Sequence, residues 1–143
     1  MKPIYIAAPF GAATHNERLH NTMRAVTIAN VAAAIGYEPV VVHLRILAGE
    51  WGDDNDPVQR AAGMAATMEV LERVIRRGGE VWALRRDDGT MSAGTAAEVE
   101  AAQARGADVV AYTWAEWEHR AALDVLPMFR MFRTQRWMVP DAR

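Results

Sequence analysis

The sequence contains no cysteine among its 143 residues. Disulfide bonds and thiolate metal sites are therefore excluded within this chain. It also has no run of about 18 consecutive apolar residues, so a membrane-spanning helix is not expected. The first residues carry no charged and then apolar leader, and for that reason we expect a cytoplasmic protein.

Several common binding motifs are missing as well. Neither G-x-G-x-x-G nor a Walker A sequence occurs, which leaves dinucleotide and P-loop chemistry unsupported. The acidic stretch 52–57 does not begin a calcium loop. The sixth position of such a loop is not a glycine here, and Met64 stands where the loop needs its last glutamate. A formal net charge of -2 argues against a general nucleic-acid-binding surface.

Short apolar runs and helical patterns alternate along the chain. The predicted strands cover residues 3–8, 38–43, 80–84 and 107–113. The predicted helices cover residues 16–35, 59–77 and a segment from about 93–96 to 105. This order predicts the α/β class, as a three-layer doubly wound (Rossmann-like or flavodoxin-like) parallel sheet of four to five strands with helices on both faces. In the first helix the apolar stripe consists of Leu19, Met23, Val26, Ala29 and Ala33.

We treat residues 1–143 as a single domain, because no linker or internal repeat interrupts them. Two segments stand apart from the strand and helix pattern. Residues 44–59 form a long polar loop, which is usually functional or mobile at that length. Residues 114–143 are dense in aromatic, methionine and arginine residues, which suits either a terminal helix packed on the sheet or an oligomer contact.

The strongest functional signal lies between Asp87 and Glu98. This loop of small residues follows a predicted buried strand and leads into a helix, where open α/β sheets bind their ligands. It offers the hydroxyl of Ser92, backbone amides and the carboxylate of Glu98. If the helix starts near residues 93–96, Gly94 and Glu98 lie one turn apart on the same face, at an end that favours anions.

Glu98 has two possible roles. A carboxylate at that place can act as a nucleophile toward an anomeric carbon or as a general base. However, Thr95 and Glu98 also have the spacing of a capping box, in which the glutamate reaches back to the backbone at the start of the helix. The residue pattern leaves both roles open. Ser92 has no evident histidine and aspartate partners, so a hydrolase triad is weakly supported.

Other candidates follow the first and second predicted strands. Tyr5 and Phe10 can line a pocket for a base ring, although core packing is the commoner role of such aromatics. Pro9 and Gly11 fit a tight turn that approaches a ligand closely. His43 ends the second strand at the same predicted edge of the sheet, either as a ligand-binding residue or as a structural histidine.

Two sets of residues together resemble a known family. Residues 4–10 (Ile-Tyr-Ile-Ala-Ala-Pro-Phe) resemble the first strand and loop of the nucleoside 2-deoxyribosyltransferase superfamily. Ser92-x-Gly94-x-x-x-Glu98 resembles its signature S/D-x-G-x-x-x-E, which also occurs in related nucleotide N-glycosidases. The stretches 42–44, 54–57 and 81–84 look like those of a phage-associated branch of this superfamily. The resemblance as a whole spans about residues 2–112.

The resemblance implies a reaction. In that family the signature glutamate attacks C1′ of the (deoxy)ribose and displaces the base, and then water or a second base takes the sugar. Glu98 matches this nucleophile, and Tyr5 matches a residue that helps to orient it. The loop of Ala8, Pro9, Phe10 and Gly11 would contribute to substrate binding. Ser92 matches the position that reads the 5′ end of the sugar, where serine favours a 5′-phosphate.

Further expectations come from the same family. An acidic residue in the helix before the third strand assists the leaving base, and Glu69 or Glu72 corresponds to it. An apparent insertion at residues 75–78 disturbs that alignment. Members are dimers or larger, so we expect a homodimer or higher homo-oligomer. No metal or organic cofactor, membrane or nucleic acid polymer is expected as a partner.

The leading hypothesis is therefore cleavage or exchange of an N-glycosidic bond in a small-molecule nucleoside or nucleotide. One alternative is a domain of the same fold that binds or senses a nucleotide without turning it over. A second alternative is an oligomeric interaction protein.

Overall fold

The computed structural model describes residues 1–11, 14–43 and 56–124, with no side chains described for 121–124. The predicted loop 44–59 and the end of the chain therefore fall largely outside the described residues. The secondary structure elements, in chain order, are β1 Pro3–Ala7, α1 His15–Ala34, β2 Glu38–Val40, α2 Pro57–Arg76, β3 Glu80–Leu84, α3 Ala93–Ala104, β4 Val109–Tyr112 and α4 Trp114–Asp124.

The strands form one parallel sheet in the order β2-β1-β3-β4. Helices cover both faces, which confirms the predicted three-layer α/β fold. The chain leaves β1 for β2 on one side and then returns to β3 on the other side of β1. Strands β1 and β3 are consequently neighbours at the centre, where the direction of winding reverses.

The alternation of side chains along β1 supplies both apolar layers. Ile4 and Ile6 point to the face that α1 and α4 cover, where Trp117 of α4 is buried. Tyr5 and Ala7 point to the opposite face, which α2 and α3 cover. This alternation puts Tyr5 on the same side of the sheet as α3.

The buried stripe of helix α1 shares Ala29 with the predicted stripe and otherwise differs from it. Leu19 and Met23 are 41% and 57% exposed, so the prediction that they belong to the packed face is wrong. The buried residues are Thr22, Ala25, Ile28, Ala29 and Ala32. This face is turned by about 100° from the predicted stripe, which is one residue of an α-helix. Thr22 is tolerated there because its hydroxyl donates to the Arg18 carbonyl at 2.9 Å.

Among the element boundaries that differ from the prediction, two lie near predicted site residues or the predicted loop. Strand β2 ends at Val40, so His43 lies beyond the strand and not at its last position. Helix α2 begins at Pro57, where Asp56 caps it by accepting from the Val58 amide, and proline suits the first position of a helix.

Helix α4 shows that the segment after β4 packs on the sheet at least in part. The Trp117 indole N–H donates to the Ala83 carbonyl at 3.1 Å, and its ring lies 5.2 Å from that of Trp82. The second predicted role of this segment, an oligomer contact, stays a prediction. Within the described ranges, no helix has the length and apolar character that a membrane span requires.

Candidate active site

A cavity of about 400 Å³ opens at the carboxyl ends of β1 and β3. Open α/β sheets bind ligands in a crevice at this reversal of winding, and the volume lies within the usual range for small-molecule sites. Its walls come from residues 8–11 after β1, residues 84–87 after β3 and the start of α3. Side chains from α1 and α2 complete it.

The start of α3 is built by Ser92. Its hydroxyl accepts a hydrogen bond from the Thr95 amide at 3.2 Å and lies 2.8 Å from the Thr95 hydroxyl, to which it donates. Ser92 is thus the N-cap, and the helix starts three residues earlier than a capping box of Thr95 and Glu98 requires. The capping-box alternative for Glu98 is therefore wrong.

Glu98 instead lines the cavity. Its side chain is buried, with the residue only 6% exposed, and its Oε2 atom has no hydrogen-bond partner among the described residues. Burial raises the pKa of Glu98 to about 7, because an apolar environment disfavours the charged form. The group can therefore exist as either acid or carboxylate near neutral pH.

Tyr5 lies beside Glu98 on the same face of the sheet. Burial, and then the neighbouring Glu98 carboxyl, raise the pKa of Tyr5 well above its usual value, so its hydroxyl stays protonated. In return Tyr5 lowers the pKa of Glu98, in part against the effect of burial. Neither the Tyr5 hydroxyl nor Glu98 Oε2 has a partner of ordinary hydrogen-bond geometry in the described part of the chain, so their contact is loose.

His43 contacts the loop after β1, which forms part of the cavity wall. Its Nε2 atom lies 2.8 Å from the Ala8 carbonyl and 3.3 Å from the Pro9 carbonyl. Carbonyl oxygens only accept, so Nε2 carries the proton and donates, and burial lowers the pKa of His43 and keeps the ring neutral. The ring also meets Phe10 edge-to-face, with centroids 5.6 Å apart. His43 does not line the cavity; it holds the loop that does.

The two candidate acids of α2 are not brought into the cavity. Glu69 is exposed and lies 3.9 Å from Arg73. Glu72 pairs with Arg105 and, at 3.4 Å, with Arg76. Arg60 is the residue of α2 that reaches the cavity wall, and Glu69 lies about 13 Å further along the helix axis at 1.5 Å per residue.

Most of the other predicted residues meet in one place. The predicted site residues that line the cavity are Ala8, Pro9, Phe10, Gly11, Ser92, Gly94 and Glu98. The packing of the fold does not require a glycine at position 94. A Cβ atom at Gly94 would meet only the end of Met64, at 3.6 Å, which is an ordinary contact. At Gly79, by contrast, a Cβ atom would lie 2.6 Å from the Pro3 carbonyl.

The sequence analysis missed four arginines around the cavity. These are Arg24, Arg60, Arg85 and Arg86. Arg24 is held by Asp87, 3.2 Å away, and by the ring of Trp114, whose centroid lies 5.1 Å from its guanidinium carbon. Arg85 and Arg86 could have been predicted from the sequence, because this adjacent pair directly follows a predicted strand. Arg24 and Arg60 lie within helices and not at the end of a predicted strand, so they carry no such signal.

Together these groups can bind an anion next to a carboxyl group of adjustable charge. The first amides of a helix have no partner within the helix and favour anions, and guanidinium groups bind phosphate in bidentate fashion. In residues 1–11, 14–43 and 56–124, no group of three or more histidine, aspartate or glutamate side chains could hold a metal ion.

Fold and cavity define a doubly wound α/β protein with a cavity at the reversal point of its sheet. Residues 2–112 match the model of the family described as "Domain of unknown function (DUF7768)", and the chain therefore belongs to that family. The matched region contains every described residue that lines the cavity. No curated protein and no solved structure matches this chain.

Proposed function

We propose that the protein cleaves or exchanges the N-glycosidic bond of a (deoxy)nucleotide, with Glu98 as the nucleophile. The observation that carries the proposal is the buried Glu98 side chain, which lines the cavity and has one carboxyl oxygen without a hydrogen-bond partner among the described residues. A buried polar atom without a partner is costly in a folded protein, so its persistence at such a place favours a functional role. The segment from Ser92 to Glu98 resembles the N-glycosidase signature, and this resemblance supports the same role.

The chemistry proceeds by two displacements at one carbon. The Glu98 carboxylate attacks C1′ of the sugar, the bond from C1′ to the base nitrogen breaks, and the base leaves with the bonding electrons and takes up a proton. The sugar is then esterified to Glu98. Water or a second base attacks C1′, loses a proton and releases the carboxylate. The two steps balance without a metal or an organic cofactor.

The surroundings of Glu98 suit both steps. With a pKa of about 7, a large share of Glu98 is carboxylate at neutral pH, and the neighbouring Tyr5 hydroxyl lowers that pKa against the effect of burial. A desolvated carboxylate is also more reactive than one in water, because no hydration shell has to be removed. Ser92, the amides that follow it and the arginines favour a substrate with a 5′-phosphate.

One observation favours a second candidate, a domain that binds a nucleotide without turnover. Glu69 and Glu72 lie outside the cavity, so neither supplies the acid that would protonate a leaving base. Tight nucleotide binding with no base released over many hours would support this candidate against the first.

The test is release of free base from a panel of nucleosides and nucleoside 5′-monophosphates, followed by chromatography. We expect Glu98→Gln to lower the rate on the order of 10³-fold or more, since loss of a nucleophile removes the covalent route. The matched control is Glu100→Gln, an exposed position of the same helix. Mass spectrometry of the quenched wild type should show a sugar adduct that the Glu98 variant lacks. Equal rates in wild type and Glu98→Gln would remove Glu98 from the mechanism.

A further inference from the structure

The loop after β1 turns two backbone carbonyls away from the cavity. The carbonyls of Ala8 and Pro9 accept from His43 Nε2, at 2.8 and 3.3 Å. His43 does not line the cavity, whereas all of residues 8–11 do. Both carbonyls therefore point to the side of the loop that does not face the cavity.

The direction of these carbonyls fixes the direction of the amide that follows them. In a trans peptide unit the C=O and N–H groups point in opposite directions, and the described residues contain no cis peptide bond. The N–H of Phe10 therefore points away from His43, toward the cavity that Phe10 lines. Pro9 has no N–H, so Phe10 carries the amide that this turn offers to a ligand.

The amides of Phe10 and Gly11 are available to a ligand. Neither N–H has an acceptor in the described part of the chain. Asn21 of α1 holds the next carbonyl, because its Nδ2 atom donates to the Phe10 carbonyl at 3.3 Å and so fixes the peptide unit that contains the Gly11 N–H. His43 and Asn21 thus order two donors before any ligand binds. Ordered donors without a partner suit a ligand group that only accepts hydrogen bonds.

The position of Glu98 puts these donors beside the proposed reaction. Glu98 neighbours Tyr5 of β1, and residues 8–11 follow that strand directly. Glu98 and Phe10 line the same cavity. In the proposed function, the amides at the start of α3 already bind the phosphate oxygens. The carbonyl oxygens of the base are the other acceptors of a nucleotide that carry no proton of their own, and they pair readily with N–H donors.

We propose that the amide of Phe10, with that of Gly11 next to it, binds a carbonyl oxygen of the leaving base and stabilises the negative charge that the base acquires. This inference rests on the proposed function and adds a group that Glu69 and Glu72 do not supply. As the bond from Glu98 to C1′ forms, the bond from C1′ to the base nitrogen breaks, and its electron pair stays on the base. The charge spreads onto the carbonyl oxygen, where the amides stabilise it until water supplies a proton.

The proposal defines a substrate class, which the first arm of the experiment tests in the wild type. Uracil, thymine, cytosine, guanine and hypoxanthine each carry a ring carbonyl, whereas adenine has none and carries an amino group, a donor, at C6. Inosine and adenosine 5′-monophosphate differ only in this part of the base. We expect kcat/KM for base release to be about tenfold or more higher for the inosine nucleotide, in the ribose or the 2′-deoxyribose form.

The second arm removes the donor itself. Phe10 is replaced by its α-hydroxy analogue, phenyllactic acid, which puts an ester oxygen in place of the N–H and keeps the side chain. We expect kcat for the inosine nucleotide to fall on the order of 10²-fold, and more than KM rises, because the charge exists only in the transition state. The preference for inosine over adenosine should disappear. Phe10→Leu is the matched control, since it keeps the amide and should keep the preference.

Three results would overturn the inference alone. The first is equal or faster release of adenine by the wild type, which is measured without any variant. The second is an unchanged kcat in the ester variant, once circular dichroism shows that it folds. The third is a loss in that variant for nucleotides but not for the corresponding nucleosides, which would assign the Phe10 amide to the phosphate. Absence of base release from every substrate would instead remove the proposed function itself, so the two failures are distinguishable.

Discussion

At the scale of single residues, Glu98 stands out because its burial disfavours the charged form of its carboxyl group. The folded state binds a proton at Glu98 up to about pH 7, whereas an unfolded glutamate releases it near its ordinary value of 4.5. Between these values the folded state binds more protons than the unfolded state. The contribution of Glu98 to stability is therefore fully present at low pH and is lost as pH rises toward 7.

This asymmetry gives a prediction that is independent of any substrate. Glu98→Gln should be more stable than wild type at pH 8 by up to about 3 kcal/mol, since the glutamine avoids the cost of a buried charge. The difference should shrink as the pH falls toward 4.5. Urea unfolding at a series of pH values measures it, with Glu100→Gln as the exposed control. A stability difference that does not depend on pH would contradict the buried position of an ionisable Glu98.

Gly94 gives a second prediction at this scale. Its backbone does not require glycine, and a Cβ atom there would make an ordinary contact with Met64. Gly94→Ala should therefore fold with a stability within about 1 kcal/mol of wild type, and the lower entropy of the unfolded alanine favours a small gain. Gly94 lines the cavity, however, so the added methyl group should weaken binding of a nucleotide about tenfold or more.

Thermal unfolding and calorimetric titration of the same Gly94→Ala preparation separate the two effects. Unchanged nucleotide affinity would show that Gly94 does not approach the ligand. A large loss of stability would show that the fold itself needs the glycine.

At the scale of elements, the loop after β1 is held in part by His43. Two backbone carbonyls of this loop, from Ala8 and Pro9, accept from the same ring nitrogen. Burial lowers the pKa of His43, and the neutral ring still keeps the one N–H that this contact uses. His43 is therefore a positioning residue for a wall of the site.

The corresponding prediction concerns His43→Phe. The variant keeps an aromatic ring next to Phe10 but leaves the buried Ala8 carbonyl without its donor, which should cost about 1–3 kcal/mol of stability. We also expect KM to rise more than kcat falls, because the variant disturbs a binding wall and leaves Glu98 in place. Equilibrium unfolding and steady-state kinetics measure the two effects. His119→Phe, at an exposed position of α4, serves as the control. A lower kcat at unchanged KM would instead place His43 in the chemical step.

The elements also show where sequence patterns mislead. In α1 the spacing of apolar residues suggested a stripe that included Leu19 and Met23, but the face around Ile28 packs against the sheet, and Leu19 and Met23 remain exposed. In α3 two residues had the spacing of a capping box, yet the earlier Ser92 caps the helix. Local spacing states which contacts are possible, and tertiary packing selects among them.

At the scale of the whole molecule, the site exists because of the strand order. The sheet places β1 next to β3 although a helix, β2 and a further helix separate them in the chain. This arrangement brings the loop after β1 and the start of α3 to the same edge of the sheet. The expected homo-oligomer and cytoplasmic location stay predictions.

The alternation of strand and helix patterns in the sequence was enough to predict an α/β fold with helices on both faces of a parallel sheet, since hydrophobic periodicity is local and survives without long-range contacts. The same reading identified two segments of the cavity wall, residues 8–11 and the motif of Ser92, Gly94 and Glu98, because each is contiguous in the sequence. Only the tertiary structure decided which face of α1 packs against the sheet. It also decided that Glu98 is buried and does not cap the start of its helix, and that arginines from distant segments surround it. These features depend on which surfaces meet across the sheet, and spacing along one chain does not encode that directly.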